Sequence, residues 1–251
     1  MELSFENKVV VVTGAAGGFG SATARTFAEA GAHVVVSDID AAGAERVAAE
    51  LPSAIAVTTD VTDPDAVRGL VETAESAFGG LDVMVNNAGV PHRAGALVDL
   101  DVETVDRQLA VNVRSVFLGC KYAVPALRRR GGGVVVNVAS IAAKRPRPGL
   151  TVYNATKGAV ITLTRGLAAE VAPVVRVNAV NPVIAETGFV KSLTGAAALP
   201  DDVRADWVAG IPMARTATAR DVAHSIAYLA SDQAGFLTGV CLDVDGGRSI
   251  Q

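Results

Sequence analysis

The sequence predicts an α/β fold, a doubly wound parallel sheet with helices on both faces, and three observations carry that reading. Short β-branched runs recur along the chain (VVVV at 9–12, VVV at 34–36, VVV at 134–136). They are apolar throughout rather than alternating, as strands buried on both faces are. Segments with helical periodicity, opened by Pro or an acid and closed by Gly, separate these runs. The first run ends directly in a glycine-rich turn that opens a helix, the context in which such a turn binds phosphates. No composition break marks a linker, so 1–251 reads as one domain.

Bulk properties narrow the function. Half of the 251 residues are hydrophobic and 19% are charged, with a net charge of −4. An acidic chain gives no electrostatic footprint for nucleic acid, and no run approaches the ~18 apolar residues that would span a bilayer. Thr13-Gly14 interrupts the only apolar stretch near the N-terminus, so the chain reads as cytoplasmic. Cys120 and Cys241 are expected to be reduced packing thiols. No metal site is expected.

Lys8 to Thr13 is the first strand, followed by Gly14-Ala15-Ala16-Gly17-Gly18-Phe19-Gly20 and a helix closed by Gly31. The glycines let the backbone turn tightly against a pyrophosphate, with the helix N-terminus supplying amide donors. His33 to Asp38 is the second strand. Asp38, eighteen residues beyond Gly20, can accept from ribose hydroxyls, or cap the helix of Ala41 to Leu51, or both.

Ala54 to Thr58 is the third strand, leading to Asp60-Val61, and Pro64 opens a helix that Gly79-Gly80 ends. Leu81 to Val85 is the fourth, running into Asn86-Asn87-Ala88-Gly89. The asparagine amides need partners and are expected to knit strand ends together. His92 and Arg93 follow in a loop, His92 as a solvated side chain. Val102 to Arg130 reads as one long helix with Pro125 bending its last turns. Asn112 in its apolar stripe suggests a structural water or a functional contact.

Val134 to Val138 is the next strand and delivers Ser140 to its C-terminal end, where open α/β sheets keep their chemistry. Thr151 is expected to cap the helix that follows. Tyr153 and Lys157, four apart, share one of its faces. A cation beside a phenol should lower its pKa from the ordinary ~10 and make it a usable acid/base. Lys144, Arg145 and Arg147, on the intervening loop, are either solvated or draw in an anionic substrate. Ala155, Ala159, Thr162 and Gly166 form a small-residue face that another backbone should approach. Val174 to Val180 and Gly239 to Val244 are the last strands, with a helix from Asp221 to Ala230 between them.

Taken together, these motifs resemble the short-chain dehydrogenase/reductase family over nearly the whole chain. The glycine turn from Thr13 to Gly20, Asn86 to Gly89, Asn112, Ser140, Tyr153 to Lys157 and Asn181-Pro182 stand in the family's order and spacing. The resemblance implies a Rossmann-type seven-stranded parallel sheet in the order 3-2-1-4-5-6-7. It implies a nicotinamide dinucleotide held by Gly14, Gly18, Phe19, Gly20 and Asp38, with Asp60 and Val61 framing the adenine. Asn87, Ala88, Gly89, Pro182 and Lys157 would serve the nicotinamide side, with Thr187 at the carboxamide. Tyr153 would pass the proton, Ser140 would hydrogen-bond the substrate oxygen, and Asn112 would hold a water leading from Lys157 to solvent. Val183 stands where the family most often has glycine, so its backbone should be extended.

The implied activity is an NAD-dependent interconversion of a secondary alcohol and a ketone in a homotetramer. Asp38 and the absence of a basic side chain at Gly17, Ile39 and Asp40 favour NAD over NADP. An NADPH-dependent 3-oxoacyl-carrier-protein reductase, with Arg128 to Arg130 docking an acidic carrier, is the alternative. A non-catalytic dinucleotide sensor is another, although it would not need Asn112, Ser140, Tyr153 and Lys157 together.

Overall fold

The computed structural model describes residues 3–185 and 201–250. Seven parallel strands form one sheet: β1 (Val9–Thr13), β2 (His33–Asp38), β3 (Ala54–Thr58), β4 (Val83–Asn86), β5 (Gly133–Val138), β6 (Val175–Pro182) and β7 (Cys241–Val244). Their order, β3-β2-β1-β4-β5-β6-β7, is the expected one. The order reverses between β1 and β4, which opens a crevice at the strands' C-terminal ends.

The valine runs explain the layering. Alternate residues of a strand face opposite ways, so Val10 and Val12 join one core with Val34, Val36, Val134 and Val136, while Val9, Val11, Val35 and Val135 join the other. Helix α1 (Gly18–Glu29) covers the first face with Gly20, Thr23, Ala24, Phe27 and Ala28, a helical stripe spaced at three and four residues. Phe27 is fully buried there, and its truncation to alanine should cost about 3–5 kcal/mol. The second face is covered by α3 (Pro64–Phe78), α5 (Ser115–Arg129) and α6 (Thr151–Val171).

Helix ends follow local chemistry. Asp40 caps α2 (Ala41–Ala49) by accepting from the Gly43 N–H, and α3 begins with Pro64 behind Asp63 and ends on left-handed Gly79. Thr218 and Asp221 form a reciprocal capping box on α8 (Ala219–Ala230), which packs beside α1. The preceding helix, α7, spans Asp201–Ala209. At the far end of α8, the Arg176 guanidinium donates to the carbonyls of Leu229, Ala230 and Ser231.

Four local expectations need correction. Strand β4 starts at Val83 rather than Leu81 and takes in Asn86, whose side chain joins a buried polar row with Asn137. The helix expected over Val102 to Arg130 is two, α4 (Val102–Leu109) and α5, joined by a π turn over Ala110–Arg114 that contains Asn112. Thr151 makes no cap. It is the first helical residue and exposed, and α6 starts instead behind buried Leu150, after Gly149 turns the chain at φ +78°. His92 is buried, its Nδ1 2.8 Å from the Arg93 carbonyl, rather than solvated. Val183 avoids positive φ, and its N–H donates to the Val244 carbonyl. Both cysteines are free thiols, and burial pushes Cys120 up to about 12. No helix among the described residues is long and apolar enough to cross a membrane.

Candidate active site

A cleft of about 490 Å³ runs along the C-terminal ends of the strands. At one end it is floored by the glycine turn. Gly14 sits at φ +64°, and a Cβ there would lie 2.8 Å from the Ala88 Cα. A Cβ on Gly20 would collide with the Gly14 carbonyl, so the second turn of backbone packs directly on the first. Helix α1 begins there with no side-chain cap and no acid in its first turn. Its amide donors therefore remain open beside Gly17, Gly18 and Phe19 of the cleft wall, a fit for a pyrophosphate.

Asp38 closes that end. Its Oδ2 accepts from the Ala16 N–H at 2.9 Å and its Oδ1 from the Asp40 N–H at 3.0 Å, which fixes the carboxylate without exhausting its lone pairs. The cations of the cleft wall are Arg107, Arg147 and Lys157. Arg46, not weighed from the sequence, donates to the Ala16 carbonyl at 3.2 Å, but it is not part of the cleft wall. Asp60 and Val61 line the same end, with Asp60 holding the Thr62 N–H and hydroxyl.

The middle of the cleft is the Asn87-Ala88-Gly89 turn. Thr13 Oγ1 accepts from the N–H groups of Asn87 and Ala88, and Asn87 Nδ2 donates to the carbonyls of Thr13 and Gly14. The asparagine thus knits strand ends and lines the cleft at once. Space at Gly89 is tight: a Cβ would stand 3.2 Å from Lys157 Nζ and 3.3 Å from Asn112 Oδ1.

Ser140, Tyr153 and Lys157 converge at the other end. Ser140 follows β5 in extended conformation, and its Oγ accepts from the Ala142 N–H at 3.1 Å while hydrogen-bonding to Tyr153. Lys157 Nζ donates to the Val138 carbonyl at 2.9 Å and stands 5.8 Å from the centre of the Tyr153 ring. The electrostatics depart from expectation. Burial pushes the Tyr153 phenol up to about 12, against a smaller opposing effect of the Ser140 hydrogen bond. The same burial pulls Lys157 down to about 8. An apolar surround penalises both charged forms.

Asn112 is fully buried behind this end and does not line the cleft. Its Oδ1 accepts from the Val90 N–H at 2.8 Å, and its Nδ2 donates to the Val90 carbonyl, Gln108 Oε1 and Thr156 Oγ1. It fastens the cleft wall to α6. Gly20 also lies beneath the wall rather than in it, whereas Pro182 lines it. Thr187 lies outside the described residues. The sequence reading missed Arg107, Val111 and Ile184 of the wall, which carry no motif and are placed by packing alone.

A family model described as enoyl-(acyl carrier protein) reductase matches residues 14–249. The chain is 44% identical to 4-formylbenzenesulfonate dehydrogenase of Comamonas testosteroni, across 99% of this chain and 100% of the other. The chain belongs to the short-chain dehydrogenase/reductase family. A further relative is cis-4-hydroxycyclohexanecarboxylate dehydrogenase of Sinomonas cyclohexanicum, 43% identical over 97% of both chains. Among solved structures, a 3-ketoacyl-(acyl-carrier-protein) reductase from Brucella melitensis complexed with NADH superposes with a TM-score of 0.92. It is 44% identical and covers 98% of this chain and 100% of its own. As a member of this family the chain is an oxidoreductase with a nicotinamide dinucleotide and a small-molecule substrate.

Proposed function

We propose that this oxidoreductase uses NAD(H) to interconvert a secondary alcohol and a ketone, with Tyr153 as the acid/base. The observation that carries the reading is the convergence of Ser140, Tyr153 and Lys157 at one end of a cleft whose other end is closed by Asp38. When bound, the nicotinamide supplies or takes up the hydride. Gly14, Gly18, Phe19 and Gly20 would hold the pyrophosphate, Asp38 the adenosine ribose, and Asp60 and Val61 the adenine. Asn87, Ala88, Gly89, Pro182 and Lys157 would hold the nicotinamide side.

The chain's own part is proton transfer. The Tyr153 hydroxyl keeps its proton at neutral pH and is oriented by Ser140, so it is ready to donate to a carbonyl oxygen as that oxygen gains charge. Ser140 adds a second hydrogen bond to the same oxygen. Asn112 acts through position: its four hydrogen bonds hold the Val90 segment against Thr156, and with it the space shared by Gly89 and Lys157. A water at Asn112 leading from Lys157 to solvent remains part of this reading. For the oxidation, the phenolate must form, and it forms more readily while Lys157 is charged.

Both relatives are named as dehydrogenases, and the second, named for a secondary alcohol on a ring, supports the reaction class; the first is named for an aldehyde. Both also couple the reacting centre to an acidic group, a sulfonate in one and a carboxylate in the other. The NADH complexed in the Brucella structure supports the choice of NAD. That same relative favours a second reading, reduction of a 3-oxoacyl thioester on a carrier protein. The arginines suggested for docking a carrier are largely engaged, however. Arg129 forms a bidentate pair with Glu75, and Arg130 donates to the Gly79 carbonyl.

We also read the chain as a homotetramer. Ala155, Thr162 and Gly166 leave a small-residue strip of α6 exposed, and Leu109 and Phe117 are about half exposed on the neighbouring helices. The deciding assay offers cyclic and open-chain secondary alcohols with NAD, beside a 3-oxoacyl thioester with NADH and NADPH. Reduction of NAD by the simple alcohols is expected. Turnover of the thioester alone would transfer the assignment to the second reading.

A further inference from the structure

Two charged side chains of the cleft, Arg107 and Arg147, are used neither by the proton-transfer group nor by any dinucleotide contact. Arg147 lies in the turn between Ser140 and α6 and lines the cleft beside Leu150 and Tyr153. Its two companions in the basic stretch are occupied. Lys144 Nζ pairs with Asp243 at 2.7 Å, and Arg145 Nη1 donates to the Arg248 carbonyl at 2.7 Å. Neither of the two roles expected for the three cations as a group therefore holds for all of them. Arg147 has no ion-pair partner among the described residues.

The guanidinium is nevertheless held in place. It lies over the ring of Trp207, 4.6 Å from its centre. Trp207 in turn packs against the apolar cluster of Ala142, Leu150 and Tyr153. The Arg147 carbonyl accepts from Asn154 Nδ2 at 2.9 Å and from the Leu150 N–H at 3.2 Å, so its backbone is tied to the first turn of the helix that carries Tyr153. Partial burial and the nearby charge of Arg248 both pull its pKa below the ordinary arginine value. A cation kept there without a carboxylate among the described residues is short of an anion. A guanidinium stacked on an aromatic ring presents its donors edge-on, which suits the paired oxygens of a carboxylate or sulfonate.

We infer that the substrate carries a carboxylate or sulfonate which Arg147 anchors, while its hydrocarbon body lies on Leu150 and Trp207 and its carbinol carbon meets Tyr153. The inference rests on the alcohol dehydrogenase reading above and names the substrate class for it. The anion does not react; its contribution is to fix the orientation of the reacting carbon, an effect that a neutral substrate lacks.

Two measurements test it. In the first, kcat/KM with NAD is compared for 4-hydroxycyclohexanecarboxylate and its neutral carboxamide, using wild type, Arg147→Gln and Arg147→Lys. The wild type should favour the acid by about tenfold or more, the scale of a charge-assisted hydrogen bond. Arg147→Gln should lose at least about tenfold more on the acid than on the amide, chiefly in KM, and Arg147→Lys should recover part of the difference. Equal use of acid and amide by the wild type, or equal losses on both in Arg147→Gln, would overturn the anchor and leave Arg147 a packing residue.

The second measurement does not require turnover. Trp207 is the chain's single tryptophan, so its emission reports on the ring beneath Arg147. Titrating the NAD-loaded protein with cyclohexanecarboxylate should give a saturable change that cyclohexanecarboxamide and the Arg147→Gln variant lack. If that binding is seen while no secondary alcohol is oxidised, the anchor stands and the reaction assignment falls. If alcohols are oxidised without a preference for the anion, the reaction stands and the anchor falls.

Discussion

Lys157 Nζ donates to the main-chain oxygen of Val138 across 2.9 Å, which fastens the helix carrying Tyr153 to the strand end carrying Ser140. The ammonium that makes this bond is buried, and its pKa is pulled down to about 8. Against an ordinary lysine at ~10.4, that depression corresponds to roughly 3 kcal/mol of destabilisation while the group is charged.

Lys157→Met should therefore inactivate the protein yet stabilise it. The lost hydrogen bond offsets about 1 kcal/mol of the gain, leaving a net stabilisation on the order of 1–2 kcal/mol near neutrality. The sign follows from proton counting. Between pH about 8 and ~10.4 the unfolded chain binds the Lys157 proton and the folded chain does not, so wild-type stability rises with pH. The variant's advantage should be complete below pH about 8 and shrink through that window. Urea titrations of both proteins on either side of it provide the check, and a variant less stable than wild type at neutral pH would refute the account.

Tyr153→Phe removes the transferable proton and keeps the ring that packs against Leu150 and Trp207. Turnover should fall by ~10² or more, while NAD affinity, measured by equilibrium titration, changes little. Ser140→Ala should act in the same direction, because Tyr153 loses its orienting partner. Activity of Tyr153→Phe within tenfold of wild type would require another proton donor.

Much of this is legible in the sequence alone. Runs such as Val9 to Val12 can only be strands buried on both faces, and Ser140, Tyr153 and Lys157 are placed by the ends and periods of two elements. What escapes depends on tertiary contact. The helical pattern continues through Asn112, so nothing local marks the π turn that its bonds to Val90 and Thr156 accompany. The four-residue spacing of Tyr153 and Lys157 places them on one face but says nothing about burial, which reverses the expected direction of the phenol's shift. Lys144, Arg145 and Arg147 are equivalent in sequence, and only the folded chain assigns Asp243 to one, the Arg248 carbonyl to another and the Trp207 ring to the third. The start of α6 escapes as well, because Leu150 takes the cap position without any side-chain cap and the hydroxyl of Thr151 plays no part in it.

Assembly can be tested on the half-exposed Phe117, at 51% of its full accessibility. If α5 and the small-residue strip of α6 pair across two-fold axes, Phe117→Glu should place a charge in that interface and reduce the assembly below a tetramer. The wild type should scatter light as four chains at micromolar concentration. A monomeric wild type would refute the proposal, as would a variant that remains tetrameric at the same concentration.

The last prediction concerns the choice of dinucleotide. The Asp38 carboxylate is fixed by the N–H groups of Ala16 and Asp40 at the end of the cleft where the adenosine ribose would lie. A 2′-phosphate there would face a like charge, and two unit charges ~4 Å apart repel by roughly 1 kcal/mol in water and about 4 at a protein surface. That range spans from several-fold to about a thousandfold in affinity. Gly17 and Ile39 line this end of the cleft and bring no cation, and Asp40 spends its carboxylate on capping α2. Arg46 donates to the Ala16 carbonyl of the turn, but from outside the cleft wall. Wild type should therefore prefer NAD(H) in kcat/KM by at least about tenfold. Asp38→Ala should relax that preference, chiefly by improving use of NADP(H), and Arg46→Ala should leave the preference where it is. If the wild type used NADPH as well as NADH, Asp38 would not face the ribose. If Arg46→Ala increased the preference for NAD, the guanidinium would reach the phosphate after all, and the balance at this end of the cleft would be set by two opposing charges rather than one.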